Sequence, residues 1–351
     1  MVKKIVPVMV LAAGLAGMWA DALSQRRGTT AANFLEIGIG AAQTAMGDAS
    51  VGATSDLMSI YWNPAGLAFM QKSETQFMYQ PWLVDINSSF AGAGLVLPGI
   101  GTLSVGLFYV GYGEMDVTTL EAQNGTGEKF SASDYAVSLA YARKIVQWFS
   151  FGAAAKMVNS QIWHTNAKAM AVDLGVIVHT PFFSPTKKQE DGMKIGMSIS
   201  NYGSQMKYDG LDLLNPIDIE PDAEGNYKDV PGQFRLTEWE LPLLLRVGIA
   251  VYPIVAHNQR LTVAVDALHP NNNSESVNVG AQYELTRPGF GTFYLRGGYK
   301  ALFLEKSEFG PTYGAGFLLR MGPSLGLKVD FAYRSLGVLG SPTCFNLGVM
   351  F

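Results

Sequence analysis

From residue 72 to the end of the chain, apolar and polar residues alternate with a period of two. Residues 325–334 show this best, with Leu, Leu, Val, Phe and Tyr at odd positions and Gly, Lys, Asp, Ala and Arg at even positions. The pattern recurs in residues 243–251, 261–267 and 277–285, and no stretch has a convincing helical period. Such alternation indicates β-strands with two different faces. The sequence therefore predicts an all-β fold.

One face of these strands carries large apolar side chains, and the other mixes glycine and alanine with isolated charges. Only 15% of the 351 residues are charged, against about 25% in soluble proteins. A soluble sandwich needs a mostly polar outer face, which this charge content cannot supply. We therefore expect the apolar face to meet lipid and the mixed face to line a filled lumen, in a transmembrane outer-membrane β-barrel.

We count about 14 antiparallel strands, the even number typical of closed bacterial barrels. The longest connections, 113–131 and 202–240, fall on the side expected to be extracellular, and connection 180–192 is long for a periplasmic turn. The C-terminal residue Phe351 ends an amphipathic last strand. The predicted strands are 75–82, 86–97, 102–112, 132–143, 148–158, 167–178, 193–201, 241–252, 261–268, 277–286, 292–300, 312–320, 325–334 and 343–351.

The N-terminus has the pattern of a secretory signal peptide over residues 1–22. Lys3 and Lys4 precede an apolar run that ends in Ala20-Asp21-Ala22, a typical cleavage site. A membrane-anchoring helix is the alternative, although the run is short for a bilayer span. The single cysteine, Cys344, allows no internal disulfide. We expect the mature protein to reside in the outer membrane of a Gram-negative bacterium, in contact with its lipid.

Residues 34–68 form the only long stretch beyond the N-terminus that is not strand-like. It is rich in Gly, Ala and Ser and poor in charge. It is too apolar for a solvated linker, and its side chains are too small to form a hydrophobic core of their own. We expect residues 23–71 to form an N-terminal segment with a plug inside the lumen of the barrel, residues 72–351. The plug and its junction with the wall would use Phe34, Gly38, Gly40, Gly47, Asn63, Pro64 and Gly66.

The turn Asn63-Pro64-Ala65-Gly66 would mark the place where the plug passes into the wall. Pro64 favours an extended Asn63, and Gly66 can adopt a positive φ. An ordinary surface turn is the alternative.

Several charged residues fall on the face predicted to line the lumen. They could form a polar translocation path, or a structural network that pairs the charges with one another and with the plug. These residues are Lys156, Asp173, Arg246, Asp266, Glu284, Arg296, Lys328, Asp330 and Arg334.

Other function classes lack support in the sequence. No catalytic motif occurs, the four histidines have no ligand spacing, and the glycine-rich stretches lack the rest of a phosphate-binding fingerprint. The net charge of −4 does not indicate the basic surface that binds nucleic acid. We expect no enzyme activity, no cofactor, no metal site and no nucleic-acid partner.

The long acidic connection after residue 201 contains Leu211, Leu213, Leu214, Ile217 and Ile219. A disordered surface loop is one interpretation. That density of apolar residues instead favours a loop that packs over the barrel mouth or against a partner.

The stretch FLEIGIGAAQTAMGDASVGATSDLMSIYWNPAGLA resembles the N-terminal signature of the PorV/PorQ family and, more distantly, the hatch of FadL-type barrels. Later landmarks of similar type are LPLLLRVGIA, VAVDALHPNNNSESVNVGAQYEL, FYLRGGYKALF and the last strand. The resemblance implies a 14-stranded FadL-like barrel. It also implies a role in type IX secretion or surface attachment, with secretion-system proteins and secreted cargo as partners.

Two function classes follow from this resemblance. A protein-binding component of secretion predicts a sealed lumen and a partner surface on the extracellular loops. A channel for hydrophobic small molecules, as in FadL, predicts a continuous apolar path. The charged lumen favours the first.

Overall fold

The computed structural model describes residues 27–222, 225, 229–304, 307–322 and 325–351. The predicted signal peptide lies outside the described residues. The strands are β1 Glu74–Pro81, β2 Asn87–Leu97, β3 Gly101–Asp116, β4 Lys129–Val146, β5 Phe149–Ile162, β6 Thr165–His179, β7 Lys194–Gly203, β8 Asp209–Gly210, β9 Leu214–Ile217, β10 Val230–Gln233, β11 Leu244–Ala256, β12 Gln259–Pro270, β13 Ser276–Arg287, β14 Gly291–Leu302, β15 Pro311–Met321, β16 Leu325–Arg334 and β17 Thr343–Met350.

Fourteen of these strands close into one antiparallel barrel, as predicted. Each of the fourteen pairs with its neighbours along the chain, β7 pairs with β11 across the long connection, and β1 pairs with β17 to close the ring. In the closing pair, Phe77 lies opposite Leu347. Closure satisfies the backbone hydrogen bonds of every wall strand and leaves no open edge.

The two faces of the wall follow the alternation in the sequence. In β16, Val329, Phe331 and Tyr333 are exposed, while Asp330, Ala332 and Arg334 are buried. Similar apolar residues are exposed on the outer faces of β3 and β17. An apolar outer face and a polar inner face are what a lipid-embedded barrel requires.

All fourteen predicted strands are present, with ends shifted by a few residues. The largest single shifts are four residues, at the ends of β3, β5 and β11. Strand β3 extends to Asp116, and β4 begins at Lys129. The connection between them is therefore shorter than the predicted 113–131. Strands of 16 and 18 residues exceed the roughly 10 residues that cross a bilayer, so this hairpin projects beyond the others.

The connections divide into two ends of the barrel. The end with short connections, such as 98–100, 257–258 and 288–290, is called the turn end, and the opposite end is called the loop end. Connection 180–193 is the long exception at the turn end and contains the 3-10 turn Gln189–Asp191. At the loop end, the 204–243 connection is called the long loop.

The long loop has local structure that the sequence did not reveal. It contains β8, which pairs with β6, the 3-10 turn Leu211–Leu213, and the hairpin of β9 and β10. Asp212 anchors it: its carboxylate accepts hydrogen bonds from the His164 backbone N–H at 2.9 Å and the Thr165 hydroxyl at 3.2 Å. Although desolvation would raise the pKa of Asp212, hydrogen bonds from His164 hold it below its ordinary value.

Helical structure is confined to short pieces. The N-terminal segment has helices Ala41–Ala45 and Ser59–Trp62 and the 3-10 turns Asn33–Glu36 and Pro64–Phe69, and a further 3-10 turn, Gly337–Leu339, lies at the loop end. No helix in the described ranges is long and apolar enough to span a membrane.

Candidate functional site

Residues 30–70, called the N-terminal segment below, pack against the inner face of the wall. At one end, the Ala31 N–H donates to the Glu240 carbonyl, and the Asn272 amide donates to the Thr30 hydroxyl at 2.8 Å. At the other end, the turn Pro64–Phe69 packs against β4, β5 and β6. The segment therefore begins at the loop end and finishes at the turn end.

Between these ends the segment touches strands on opposite sides of the ring. The Thr312 hydroxyl of β15 donates to the Ala45 carbonyl at 3.0 Å, and the Ser198 hydroxyl of β7 donates to the Trp62 carbonyl at 3.0 Å. Nearly all its large side chains are buried, including Ile39, Leu57 and Trp62. A segment in contact with opposite walls of a closed barrel occupies its interior.

The aromatic residues of the segment bind its own backbone. The Trp62 indole N–H donates to the Ile39 carbonyl at 2.9 Å, and the Tyr61 hydroxyl donates to the Leu35 carbonyl at 2.8 Å. Phe34 stacks on Phe108 of β3 with ring centroids 5.8 Å apart. These contacts fold the segment into a compact unit whose only regular structure is short helices and 3-10 turns.

Wall glycines make room for this unit. A Cβ atom at Gly152 would lie 2.3 Å from the Pro64 carbonyl carbon, and one at Gly298 would lie 2.3 Å from the Met46 carbonyl carbon. A Cβ atom at Gly196 would lie 2.4 Å from the Val51 carbonyl oxygen, and one at Gly280 would lie 2.2 Å from the Met46 carbonyl oxygen. The backbone of the segment thus lies directly on the backbone of the wall.

The glycines singled out within the segment serve different purposes. Gly40 and Gly47 have φ of 89° and 64°, values that other residues adopt rarely. Gly38 faces the Trp62 ring, where a Cβ atom would lie 2.9 Å from a ring carbon.

Asn63 and Pro64 adopt the geometry expected of them. Asn63 is extended, with φ −160° and ψ 104°, and its side chain caps the Pro64–Phe69 turn by accepting from the Ala65 N–H. Its amide also donates to the Val51 and Val176 carbonyls at 2.9 and 3.1 Å. The turn thereby binds both the segment and β6.

Gly66 does not use the positive φ that glycine can adopt. Gly66 lies within the 3-10 turn, and its φ is not among the positive values. A Cβ atom there would instead lie 2.5 Å from the Ser59 hydroxyl oxygen and 2.7 Å from the Thr54 carbonyl oxygen. Gly66 is required for space, because the turn packs tightly on the preceding helix.

The lumen charges form ion pairs with the segment on one side of the barrel. The Asp48 carboxylate binds Arg334 at 2.6 Å and Lys300 at 2.7 Å. The Asp56 carboxylate binds Lys328 at 2.5 Å. Three cations of β14 and β16 therefore pair with two carboxylates of the N-terminal segment.

On the other side, the wall binds backbone and aromatic groups of the segment. The Asp266 carboxylate of β12 accepts hydrogen bonds from the Ser50 and Val51 N–H groups at 2.5 and 2.8 Å. The Arg246 guanidinium lies 5.3 Å from the Tyr61 ring centroid and 5.4 Å from that of Trp62. It also donates to the Ser200 hydroxyl at 2.9 Å.

The remaining predicted lumen charges pair within the wall or stay apart. Asp330 binds Arg296 at 2.7 Å, and Asp173 binds Lys156 at 2.6 Å. Glu284 forms no ion pair within the described ranges. The nine residues thus lie in several separate clusters around the segment.

The sequence reasoning missed Asp48, Asp56 and Lys300. A signal was available, because residues 28–71 contain three carboxylates, Glu36, Asp48 and Asp56, and no lysine or arginine. A negatively charged segment enclosed by a wall with several cations has to pair with them.

Charge is unevenly distributed between the two ends. In sequence, the long loop carries Asp209, Asp212, Asp218, Glu220, Asp222, Glu224, Asp229, Glu238 and Glu240 against Lys207, Lys228 and Arg235. The strand ends at the turn end carry Arg143, Lys144, Lys194, Arg260, Arg287 and Arg320. The loop end is acidic and the turn end is basic.

The loop end also exposes large apolar side chains. Leu211, Leu214, Ile217 and Ile219 of the long loop are between 47% and 67% exposed, so they do not pack into the barrel mouth. A cavity of about 450 Å³ lies beside them, lined by His164, Asn166, Asp209, Gly210, Leu211, Leu214 and Gln233. In shorter connections of the same end, Val84, Leu120, Phe303 and Val338 are almost fully exposed.

Comparison with known families identifies the chain. The model of a family described as type IX secretion system protein PorV matches residues 20–221. The chain belongs to the PorV family. No curated protein matches the sequence significantly.

Solved structures confirm the fold of this PorV-family protein. It is similar to the toluene transporter TodX of Pseudomonas putida, at 11% identity over 89% of this chain and 97% of that chain, with a TM-score of 0.53. It is also similar to the toluene transporter TbuX of Ralstonia pickettii, at 12% identity over 89% of this chain and 97% of that chain, with a TM-score of 0.53. The monoaromatic hydrocarbon channel CymD is 10% identical over 90% of this chain and 97% of that chain, with a TM-score of 0.54. At such low identity these similarities concern the barrel alone.

Proposed function

We propose that this protein is a non-enzymatic component of type IX secretion in the outer membrane of a Gram-negative bacterium. Its loop end faces the outside and binds cargo or partner proteins, and its N-terminal segment is a plug that seals the lumen. Membership of the PorV family supports the secretion role. The orientation follows the rule that outer-membrane barrels have short periplasmic turns and long extracellular loops.

The exposed apolar residues of the long loop are the observation that carries the binding role. A soluble loop gains nothing from leaving Leu211, Leu214 and Ile217 in water, and clustered apolar residues with polar surroundings are typical of protein interfaces. The loop is also ordered by β8 and the β9–β10 hairpin. A pre-formed surface loses less conformational entropy on binding.

The seal is supported by the contacts of the N-terminal segment. Its two paired carboxylates and the backbone groups held by Asp266 attach it to β12, β14 and β16. Several charges of the lumen are therefore engaged in holding the segment. This favours the structural network over a polar translocation path.

Affinity purification of the intact protein from its own outer membrane tests the binding role. We expect secretion components or cargo to be recovered with the wild type and lost with L211S/L214S/I217S. A matched control, I100S/F182S/F183S, changes three exposed apolar residues of the turn end and should keep the partners. Equal recovery with both variants would contradict a partner surface on the long loop.

A channel for hydrophobic small molecules is the second candidate, because the similar structures are named as toluene transporters and a hydrocarbon channel. The ion pairs that enclose the segment in this chain disfavour a lipophilic path. Toluene flux into liposomes that contain the purified protein decides between the two. Flux above that of protein-free liposomes would support the channel.

A further inference from the structure

The turn-end mouth contains a cluster of inward-facing cations around Phe69, the last residue of the Pro64–Phe69 turn. The Lys144 ammonium lies 4.5 Å from the centroid of the Phe69 ring, and the Lys194 ammonium lies 5.1 Å from it. The His179 ring stacks on Phe69, with centroids 4.6 Å apart and an interplanar angle of 15°. Strands β4, β6 and β7 thus each direct one basic side chain to the same ring.

This cluster has no carboxylate partner. Neither Lys144 nor Lys194 forms an ion pair among the residues that the structure describes, and the Nε2 atom of His179 is buried with no hydrogen-bond partner. Two ammonium groups on one aromatic ring repel each other, and cation–π contacts recover only about 0.5–2 kcal/mol each. Among the described residues, six of the nine predicted lumen charges form ion pairs, so this group differs from most of the interior.

Arg260, another cation at the turn end, shows how a carboxylate can bind beside an aromatic ring there. Arg260, on β12, has its guanidinium 4.0 Å from the Tyr252 ring centroid and binds the Asp191 carboxylate at 3.2 Å. Asp191 belongs to connection 180–193, which contacts the neighbouring strand β11 and reaches Arg260 beside it. A side-chain carboxylate is thus accommodated beside a cation stacked on an aromatic ring, and Lys144 and Lys194 lack the equivalent.

We propose that Lys144, Lys194 and His179 form a binding site for the carboxylates of an acidic peptide, presented by a protein on the turn-end side. The three side chains face the lumen mouth, away from lipid head groups around the barrel. The surrounding rim is basic, which complements an acidic partner and steers its approach. The bound carboxylate supplies the charge that the cluster lacks, and Phe69 gives the peptide an apolar contact.

This site lies at the opposite end from the loop surface, and its test does not depend on the secretion role. Anisotropy of a fluorescein-labelled hexaglutamate peptide would be measured with the full-length protein in uncharged nanodiscs. We expect binding that weakens with salt and that falls about tenfold or more in K144Q/K194Q, as for the loss of close charge pairs. The variant K187Q/K188Q removes the same charge from connection 180–193 and should change binding less than about twofold.

Heat-modifiable gel mobility verifies that each variant is folded, and H179A, which keeps both lysines, provides a second measure of the site. We expect weaker binding in H179A as well. An equal loss in the two lysine variants would overturn the proposal, because it would reveal diffuse attraction to a basic rim. Competition by inorganic phosphate as strong as that by free hexaglutamate would also overturn it, because the site would then be one for small anions. Failure of the hexaglutamate peptide to bind the wild type would also overturn the proposal.

Discussion

At the scale of single residues, Gly66 shows that close packing can require glycine where a positive φ does not. The bend that contains it is tight, as the sequence indicated, but the reason is contact with Ser59 and Thr54 rather than backbone conformation. Gly125, in the connection between β3 and β4, has φ of 108°. A β-branched residue at Gly125 would therefore be strained, so it is a poor control.

We expect Gly66→Val to destabilise the protein by about 1–3 kcal/mol through overpacking. Gly297→Val is the matched control, because a Cβ atom at Gly297 has no neighbour closer than 3.8 Å and valine suits a strand. The temperature at which the folded gel band disappears should fall for Gly66→Val only. Equal temperatures for the two variants would contradict a packing role for Gly66.

Asp48 is the residue with the largest expected electrostatic effect. Asp48→Asn leaves both Arg334 and Lys300 buried without a charged partner, whereas Lys300→Gln leaves the Arg334 pair in place. Breaking a buried pair costs about 3–5 kcal/mol, so Asp48→Asn should be the more damaging variant in urea unfolding. Glu114→Gln, which breaks an exposed pair with Lys129, should stay within about 0.5 kcal/mol of wild type. The opposite ranking of the two lumen variants would show that Arg334 does not need Asp48.

At the scale of elements, the N-terminal segment enters the barrel from the loop end. Arg27 donates to the Asn273 side chain at 3.3 Å in the β12–β13 connection, and the segment then runs down to Phe69 before β1 returns. The order of these contacts gives the direction of the segment, from the loop end to the turn end. A segment that entered and left through the turn end would make different contacts.

This direction predicts different labelling at the two ends. Arg27→Cys should react on intact cells with a maleimide that cannot cross the outer membrane, because residue 27 is exposed at the loop end. Ile100→Cys, at an exposed turn-end position, should react only after the membrane is permeabilised. Cys344 is buried and should give no background. Labelling of Ile100→Cys alone on intact cells would reverse the proposed orientation.

At the scale of the whole molecule, the proposed plug predicts a barrel that conducts poorly. We expect the wild type to give no steady current in planar bilayers, whereas D48N/D56N, which removes every ion pair between the segment and β14 or β16, should open intermittently. The control E114Q/E121Q makes the same charge change at exposed positions of the loop end and should behave as wild type. Steady conduction by the wild type would refute the seal.

The sequence by itself determined the wall of the barrel. Period-two alternation with a low charge content fixes both the strands and which face meets lipid, because each depends only on residues two apart along the chain. That is why all fourteen wall strands could be predicted, with errors only at their ends. The long loop was harder, because β9 and β10 are held by a local hairpin that has no alternation of this kind.

Only the tertiary structure decided how the interior is occupied. The partners of Asp48 and Asp56 are more than 250 residues away along the chain. The basic side chains around Phe69 come from three strands of one arc of the wall, β4, β6 and β7. No spacing in the sequence records such neighbours. They follow from the register of each hairpin and from the path of a segment whose small, glycine-rich residues fit wherever the wall leaves room.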